Sequence, residues 1–153
     1  MIRKLCIVGV GLIGGSLARA LREAGECQEI VGSSRDAGHL QRAVDLGVID
    51  RYELNLARAV DGADMVVVCV PMGAMEAVFR AISSHLSSDA VLTDAGSSKV
   101  SVVKAAKAAF GTCPPNFVPA HPVAGTENSG VEASFASLYR GRRVIVTPTE
   151  TSS

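Results

Sequence analysis

The sequence predicts an α/β protein with a doubly wound, mostly parallel six-stranded sheet and helices on both faces. Apolar runs of strand length alternate along the chain with segments of helical periodicity. The strand runs are almost continuously apolar, as expected when helices cover both faces of a parallel sheet. A glycine-rich turn at residues 9–14 separates the first strand from the first helix. Together these observations are typical of the Rossmann arrangement of strands and helices.

Six apolar runs bounded by turn residues account for the predicted strands. They cover residues 5–8, 29–32, 65–70, 90–93, 116–120 and 143–147. The third run ends at Pro71, because proline cannot continue a ladder of backbone hydrogen bonds and suits the first turn of a helix.

Helical periodicity predicts four helices between these strands, at residues 12–24, 38–46, 73–86 and 98–110. The apolar face of the first helix is formed by Ile13, Leu17, Ala20, Leu21 and Ala24. Gly25 follows this helix as a stop signal. Asp36 is a plausible N-cap of the second helix, which Gly47 ends.

Length and composition indicate one folded domain. We expect this domain over residues 1–148, with residues 149–153 as a disordered end or the start of a linker. Apolar residues make up 48% of the chain and charged residues 20%, which argues against disorder. Fifteen basic and fifteen acidic residues cancel without a basic tract, so neither nucleic acid nor a membrane surface is an expected partner.

No segment of the sequence carries a pattern of export or membrane insertion. The longest apolar run, residues 65–72, is far shorter than the roughly 20 residues of a membrane span. The N-terminus passes directly into a strand without a signal-peptide pattern. The four cysteines form no C-x-x-C pair. We therefore expect a cytoplasmic protein with reduced thiols and neither zinc nor disulfides.

The motif G-x-G-x-x-G is present as Gly9-Val10-Gly11-Leu12-Ile13-Gly14, in the strand-to-helix context that makes it specific. Gly9 permits the tight turn, Gly11 lets the backbone approach a pyrophosphate, and Gly14 allows close packing of helix on strand. The helix start at Leu12 and Ile13 offers free N–H groups to the phosphates. The alternative is a glycine-rich turn without a ligand, but the context favours a dinucleotide site.

The end of the second strand is where such sites distinguish NAD from NADP, since an acidic residue there bonds the ribose 2′-hydroxyl. Position 34 carries no carboxylate, and the local residues are Ser33, Ser34 and Arg35. Hydroxyls and a guanidinium bind phosphate oxygens well, so we expect NADP to be favoured, with NAD possible. In the NAD alternative, Asp36 binds the ribose and Arg35 is solvated or stacks on adenine. Asp36 can also serve only as a helix cap.

Three further loops reach the carboxyl edge of the sheet, where ligands of this fold lie. The third strand ends at Cys69, Val70 and Pro71, which we expect to flank the cofactor, unless Pro71 only begins the next helix. The loops after the fourth and fifth strands bring Ser97 and His121 toward the same crevice.

A histidine at this edge can take a proton from a substrate hydroxyl while hydride leaves the same carbon. His121 is therefore the candidate base, and Ser97 can orient the hydroxyl or the imidazole. Thr126 offers hydrogen-bond donors, and Glu127 is a candidate for gating the site. The alternatives are a structural or surface role for His121 and an N-cap role for Ser97.

The remaining ionisable residues receive no chemical role. His39 and His85 lie in helical patterns away from the crevice. Lys99 is a weak candidate for pairing with a charged substrate, and we expect it to be solvated.

Several segments are similar to those of one known family. They are IVGVGLIGGSL at residues 7–17, AVDLGVID at 43–50, DAGSSK at 94–99 and RVIVTPT at 143–149. Most specific is HPVAGTENSGVE at residues 121–132, which is similar to the family pattern H-P-[IV]-A-G-x-E-x-S-G. On these motifs the whole chain resembles the cofactor domain of the prephenate and arogenate dehydrogenases, enzymes of tyrosine biosynthesis.

The resemblance implies NAD(P)-dependent oxidative decarboxylation of prephenate to 4-hydroxyphenylpyruvate, or of arogenate to tyrosine. His121 would hydrogen-bond the C4 hydroxyl of the substrate ring and draw off its proton, Ser97 would support it, and Glu127 would help control entry. Many family members carry an acidic residue where Ser34 stands, which is a departure that bears on cofactor choice.

The resemblance also implies a helical second domain that contacts the substrate and forms a homodimer. This domain would begin where the chain stops. We therefore expect the 153-residue chain to bind dinucleotide and to turn over prephenate negligibly.

Two alternatives remain open. A hydroxyacid or imine reductase of the 6-phosphogluconate type also joins a short cofactor domain to a helical one, but it does not suggest H-P-x-A-G-x-E. A non-catalytic nucleotide-sensing module predicts binding without chemistry, and it leaves His121 and Ser97 without a role.

Overall fold

A computed structural model describes residues 1–152, which form eight strands, five α-helices and two short 3-10 turns. The strands are β1 Ile2–Val8, β2 Cys27–Ser33, β3 Arg51–Tyr52, β4 Met65–Val68, β5 Val91–Asp94, β6 Phe117–Val118, β7 Ala120–Pro122 and β8 Val144–Val146. The helices are α1 Leu12–Glu23, α2 Ala37–Asp45, α3 Leu56–Val60, α4 Met72–Ile82 and α5 Lys99–Phe110. The 3-10 turns are Val131–Ala133 and Ala136–Tyr139.

Six parallel strands form the main sheet in the order β3-β2-β1-β4-β5-β6. β1 pairs with β2 on one side and β4 on the other, so Val8 lies opposite both Ser33 and Val68. The chain winds outward from the centre in both directions, and the strand order reverses between β1 and β4. This confirms the predicted doubly wound Rossmann sheet. It places a ligand crevice beyond the carboxyl ends of these two strands.

The sheet has six strands as predicted, but its membership differs from the prediction. Residues 143–147, predicted as the sixth strand, contribute β8, which pairs antiparallel with β7 in a separate two-stranded sheet. The predicted strand at 116–120 divides at Pro119, because proline has no N–H to donate to a ladder. Its first part is β6 of the main sheet, and its last residue begins β7.

The sixth place in the sheet belongs to β3, which the sequence does not predict, and α3 is also unpredicted. β3 is two residues long and begins with an exposed arginine, so it carries no apolar run. Its pairing is parallel, with Arg51 opposite Val31 and Tyr52 opposite Gly32. This strand exists because its neighbour offers an edge, which is a tertiary contact that no local pattern reports.

An apolar layer covers each face of the sheet. On one face, α3, α4 and α5 pack over a cluster that includes Phe79, Phe117 and Leu92. The rings of Phe79 and Phe117 meet edge to face with centroids 5.5 Å apart, a favourable aromatic geometry. On the other face, α1 and α2 pack over a cluster that includes Leu5 and Leu40. These two layers hold the carboxyl edge of the sheet in place.

The helix boundaries follow the predicted signals with one exception. Asp36 caps α2 as predicted, because its Oδ1 accepts a hydrogen bond from the backbone N–H of His39 at 3.1 Å. Pro71 directly precedes α4. This helix ends at Ile82, four residues before the predicted end.

The C-terminal segment is docked on the domain as far as the structure describes it. The Thr151 hydroxyl donates to the Cys113 carbonyl at 2.7 Å, and the Ser152 hydroxyl donates to the Phe117 carbonyl at 3.1 Å. The interpretation of residues 149–153 as a disordered end or the start of a linker stays a prediction. Ser153 lies outside the described residues. Within residues 1–152, no helix has the length and hydropathy needed to cross a bilayer.

Candidate functional site

The glycine-rich turn owes its shape to two positions that exclude any side chain. Gly9 has φ +92°, and a Cβ there would lie 2.4 Å from the Cys69 carbonyl oxygen. A Cβ on Gly14 would lie 2.4 Å from the Gly9 carbonyl oxygen and 2.8 Å from Cγ2 of Ile7. Real Cβ atoms do not approach other atoms so closely. The turn and the packing of α1 on β1 therefore require glycine, as predicted for these two positions.

Gly11 differs from the other two glycines because open space faces it. Apart from Gly11 itself and its two chain neighbours, no atom lies within 4 Å of the position that its Cβ would take. Gly11 is also the N-cap of α1, where no side chain caps the helix and no acidic residue occupies the first turn. The N–H groups at the start of α1, which includes Leu12 and Ile13, thus form the uncompensated positive end of a helix beside free volume. Such an end binds phosphate groups.

His39 contacts this turn, which contradicts the prediction that it lies away from the crevice. Its Nε2 is 2.6 Å from the Val10 carbonyl oxygen. The carbonyl can only accept, so Nε2 carries the proton of this hydrogen bond. The Asp36 cap positions the first turn of α2, and the first turn then presents His39 to the glycine turn. A residue assigned no role therefore helps to hold the backbone of the glycine turn.

A cavity of 450 Å³ lies at the carboxyl ends of β1, β2 and β4. The structure brings together there six of the residues predicted to contact the cofactor. They are Gly9, Ser34, Arg35, Cys69, Val70 and Pro71. Apolar side chains from Leu54 and Leu56 complete the wall. The lining combines a mostly apolar surface with a few polar groups, as is typical of small-molecule pockets.

The polar side of this cavity carries the groups on which cofactor choice depends. The Ser34 hydroxyl accepts a hydrogen bond from the Asp36 N–H at 3.2 Å, and Asp36 also lines the cavity. Arg35 is exposed and forms no ion pair within residues 1–152. A guanidinium beside the cavity is thus available to an anionic ligand.

Ser33 is not among the lining residues. It is fully buried, and its hydroxyl has no hydrogen-bond partner within residues 1–152. Strand alternation turns its side chain into the sheet face while Ser34 reaches the cavity. The predicted contact of Ser33 with the cofactor has no support in this geometry.

Cys69 contributes to the cavity wall as an apolar side chain. Burial, and to a smaller extent the nearby Asp94 carboxylate, raises the pKa of the Cys69 thiol to about 12. The thiol therefore stays protonated at physiological pH, and it is neither a nucleophile nor a metal ligand there.

A buried ion pair lies at the carboxyl end of β5. Lys99 Nζ pairs with Asp94 Oδ2 and also donates to the Ala120 carbonyl at 2.6 Å. The Lys99 side chain is only 16% exposed, and the Asp94 side chain is fully buried. The prediction that Lys99 is solvated is therefore wrong. Asp94 and Lys99 are the first and last residues of the DAGSSK motif, which is the sequence signal from which this pair could have been found.

His121 lies in β7, between Ala120 and Pro122. These two neighbours line a second, apolar cavity of 370 Å³, so alternation along the strand places the His121 side chain on the opposite face. The imidazole is partly exposed, and its Nδ1 is buried without a hydrogen-bond partner within residues 1–152. Protein atoms enclose this nitrogen, so a ligand can reach only the exposed part of the ring.

Ser97 is exposed and lies in the loop between β5 and α5. Within residues 1–152 no hydrogen bond joins it to His121. Its alternative role as an N-cap is wrong, because Ser98 caps α5 by accepting a hydrogen bond from the Ser101 N–H. The structure brings the two segments together through Asp94 and Ala120 rather than through the candidate side chains themselves.

Thr126 and Glu127 lie in the exposed loop after β7. The Thr126 hydroxyl accepts a hydrogen bond from the Asn128 N–H at 3.1 Å and closes a local turn. Neither residue lines one of the two cavities. Their roles at the substrate stay predictions.

Tyr139 also contacts the glycine turn and was not found from the sequence. Its hydroxyl donates to the Ile13 carbonyl at 2.7 Å, and its ring lines the 370 Å³ cavity. Burial raises the pKa of this phenol well above its usual range, so the hydroxyl remains a donor. Only the folding of residues 131–139 onto α1 brings it there, and no sequence pattern marks it.

Fold and site together define a nucleotide-binding domain of the Rossmann class. The family described as "Prephenate dehydrogenase, nucleotide-binding domain" matches residues 17–153. The chain belongs to this family. The match confirms the resemblance read from the motifs and decides against a reductase of the 6-phosphogluconate type.

Individual relatives agree with the family match. The chain is 40% identical over 152 residues to a cyclohexadienyl dehydrogenase of Zymomonas mobilis, covering 95% of this chain and 49% of that protein. A crystal structure of prephenate dehydrogenase from A. aeolicus in complex with hydroxyphenyl propionate and NAD+ has a TM-score of 0.90 at 36% identity, covering 100% of this chain and 53% of that one. The crystal structure of Synechocystis arogenate dehydrogenase has a TM-score of 0.88 at 29% identity, covering 98% of this chain and 51% of that one. The chain thus spans about half the length of the relatives it matches.

Proposed function

We propose that this domain holds the pyrophosphate of NAD(P) at the start of α1 and the adenosine in the 450 Å³ cavity. The observation that carries the proposal is the convergence of six sequence-predicted residues on one cavity beside an uncapped helix start. The open space at Gly11 supports it further, because a phosphate needs that volume to reach the backbone N–H groups.

The proposed activity of the whole protein is the NAD(P)-dependent oxidative decarboxylation of prephenate or arogenate. When bound, the dinucleotide supplies the acceptor for the hydride that leaves C4 of the substrate ring. His121 takes the proton of the C4 hydroxyl and returns it to the phenolic oxygen as CO2 leaves and the ring becomes aromatic. Ser97 orients the hydroxyl, and Glu127 and Thr126 control entry. The partial exposure of the His121 imidazole supports this role.

The enzyme's contribution to such a reaction is mainly positioning, because aromatisation and loss of CO2 make the overall step strongly downhill. Holding the hydroxyl against the imidazole and C4 against the hydride acceptor removes orientational freedom before the barrier is reached. A substrate bound loosely at an exposed edge gains little of this effect. We therefore infer that the isolated chain turns over substrate negligibly and that a helical domain, which also forms a homodimer, completes the site.

For the cofactor we propose a preference for NADP over NAD. The exposed Arg35 without an ion pair and the Ser34 hydroxyl support it, since both face or border the cavity and suit a 2′-phosphate. Asp36 supports the NAD alternative, because its carboxylate lines the same cavity. Its Oδ1 also accepts a hydrogen bond from the His39 N–H, which matches the role of a helix cap. A cytoplasmic location also stays a proposal, supported by four free cysteines within residues 1–152.

The test is calorimetric titration of the 153-residue chain with NADP and NAD, followed by an assay of CO2 release from prephenate and arogenate. We expect saturable binding of both dinucleotides, tighter for NADP, and negligible CO2 release. Absence of dinucleotide binding contradicts the proposed function. A clear preference for NAD contradicts only the cofactor choice, and rapid turnover by this chain contradicts only the requirement for a second domain.

The same assays separate an enzyme from a nucleotide-sensing module. In a protein that carries this domain together with its helical partner, His121→Asn is expected to lower kcat strongly while the Kd for NADP stays unchanged. A sensing module shows no turnover before or after the substitution.

A further inference from the structure

The buried ion pair at the end of β5 holds two backbone positions at once. Asp94 Oδ1 accepts a hydrogen bond from the Ala120 N–H at 3.1 Å, and Asp94 Oδ2 accepts one from the Gly96 N–H at 2.7 Å. Lys99 Nζ pairs with the same Oδ2 and donates to the Ala120 carbonyl at 2.6 Å. Gly96 and Ala120 are the residues immediately before the two candidate catalytic side chains.

We infer that Asp94 and Lys99 are positioning residues that set Ser97 and His121 relative to one another. The inference rests on the proposed function for the chemistry of His121 and goes beyond it by naming what holds the histidine. The Asp94 carboxylate binds the N–H groups of both Gly96 and Ala120. The segments that carry Ser97 and His121 therefore cannot shift independently while the ion pair is intact.

The pairing of β7 with β8 explains why side chains, and not a strand, bind the backbone N–H and C=O groups of Ala120. Around His121, which lies opposite Ile145, the backbone of β7 is hydrogen-bonded to β8, as the bonds Thr147 N–H to Pro119 and Val123 N–H to Arg143 show. In an antiparallel ladder the residues in between point their N–H and C=O groups away from the partner strand. Ala120 therefore turns both groups away from β8. Asp94 and Lys99 fill the place that a neighbouring strand would take.

Burial makes this arrangement firm. The Asp94 side chain is fully buried and the Lys99 side chain nearly so, which excludes water from the four contacts. Hydrogen bonds in which one partner is ionised are shorter and stronger than neutral ones, and low local dielectric strengthens them. A carboxylate removed from water needs all of these partners, so the geometry that satisfies it is narrow.

Gly96 is part of the same arrangement. A Cβ at this position would lie 2.7 Å from Cγ2 of Val102, 2.9 Å from Sδ of Met72 and 3.0 Å from Asp94 Oδ2. Only glycine lets the backbone approach the carboxylate closely enough to donate its N–H. Ser97 directly follows Gly96 in the chain. Because Asp94 binds the N–H groups of both Gly96 and Ala120, the backbone position of Ser97 depends on that of Ala120.

The test uses the 153-residue chain uniformly labelled with 13C and 15N, so that the Ala120 and Gly96 amides and the three histidine imidazoles all give signals. The variant D94N/K99M removes both charges at nearly constant volume, so neither ion is left buried alone. Lys104→Met is the matched control, since Lys104 lies exposed on the same helix. Three quantities are measured: amide exchange at Ala120 and Gly96, the order parameter of the His121 ring, and the Kd for NADP.

We expect exchange to accelerate about ten- to hundred-fold at the amide that faces the new NH2 group in the double variant, the range for loss of a hydrogen bond to a charged group, and less at the amide that still meets the remaining carbonyl oxygen. The His121 ring should lose order, the Kd for NADP should stay within about twofold, and Lys104→Met should match the wild type. Accelerated exchange with an unchanged His121 ring overturns the inference and leaves the pair only structural. Unchanged exchange overturns it as well.

The double variant could be unfolded, and the wild-type chain could fail to bind NADP. If the double variant does not fold, Lys99→Gln takes its place, because glutamine keeps a donor while removing the charge. It should give the same changes at smaller amplitude, and wild-type signals in that variant overturn the inference. Failure of the wild-type chain to bind NADP contradicts the proposed function and leaves the readouts of ring order and amide exchange valid.

Discussion

Substitution of Gly11 by alanine should separate dinucleotide binding from folding. Beyond the two chain neighbours, the Cβ of Gly11 would meet no atom within 4 Å, so the folded domain has room for the added methyl group. The same methyl group would enter the open space beside the first turn of α1, which is where we place the pyrophosphate. The change therefore affects the ligand without touching the protein core.

The expected magnitudes follow from this geometry. An alanine that meets no neighbour should change the free energy of unfolding by less than about 1 kcal/mol. A phosphate displaced from the helix start loses charge-assisted hydrogen bonds of about 1.5–3 kcal/mol each. One lost bond thus weakens binding by about ten- to hundred-fold. Gly14→Ala is the contrasting variant, because its Cβ would lie 2.4 Å from the Gly9 carbonyl oxygen and must displace backbone.

Calorimetric titration with NADP and urea unfolding of the same samples measure both effects. Gly11→Ala should keep the urea midpoint of the wild type and lose affinity, whereas Gly14→Ala should lose both affinity and about 1–3 kcal/mol or more of stability. Wild-type affinity in Gly11→Ala refutes the placement of the pyrophosphate. Equal destabilisation by both substitutions refutes the claim that open space faces Gly11.

Three further predictions concern Ser33, Arg35 and the two thiols of Cys6 and Cys69. Ser33→Ala should leave the Kd for NADP unchanged and raise the free energy of unfolding by up to about 1 kcal/mol in urea unfolding, because it removes a buried hydroxyl without a partner. Arg35→Ala should lower the affinity for NADP at least about tenfold in calorimetry while changing that for NAD little, since one guanidinium contact to the 2′-phosphate is lost. Burial raises the pKa of Cys6 and of Cys69 to about 12, so unfolded thiols ionise above their ordinary pKa near 9.0 while folded thiols do not. This contribution to stability is complete below pH 9.0 and should fall as pH rises from there toward 12, which urea midpoints across that range measure.

Each of these predictions has a contradicting result. Weaker NADP binding by Ser33→Ala means that the hydroxyl reaches the ligand after all. An equal loss of affinity for both dinucleotides in Arg35→Ala places the guanidinium on the pyrophosphate or adenine. For the thiols, the C6A/C69A variant should show a weaker fall of the urea midpoint above pH 9.0, and an unchanged slope assigns that fall to other groups.

Local patterns in the sequence were sufficient for the elements that depend on local physics. The apolar runs of β1, β4 and β5 and the turn at Gly9 predict a parallel sheet with a phosphate-binding loop, because burial on both faces and a positive φ leave a mark in the residues themselves. Asp36 likewise predicts the start of α2, because a capping residue is recognisable from the sequence itself. The motif around His121 identified the family.

The sequence did not predict the elements that form only through contact with another strand or segment. β3 has no apolar run and forms because β2 offers it an edge. Residues 143–147 have the composition of a strand, but their partner is β7 rather than the main sheet, and composition does not encode the choice of partner. Lys99 was expected in solvent because lysines are seldom buried, and only the fold brings Asp94 and the Ala120 carbonyl within its reach.

The sequence by itself determined the fold class, the dinucleotide loop, the family and the residue types available for chemistry, since each depends on spacing along the chain. The tertiary structure alone decided which of those residues meet. It buried Ser33, placed His39 and Tyr139 on the glycine turn, and made one ion pair hold the backbone beside both Ser97 and His121. The physical reason is that hydrogen bonds and ion pairs depend on distances in space, which residues far apart in the chain acquire only when the whole domain folds.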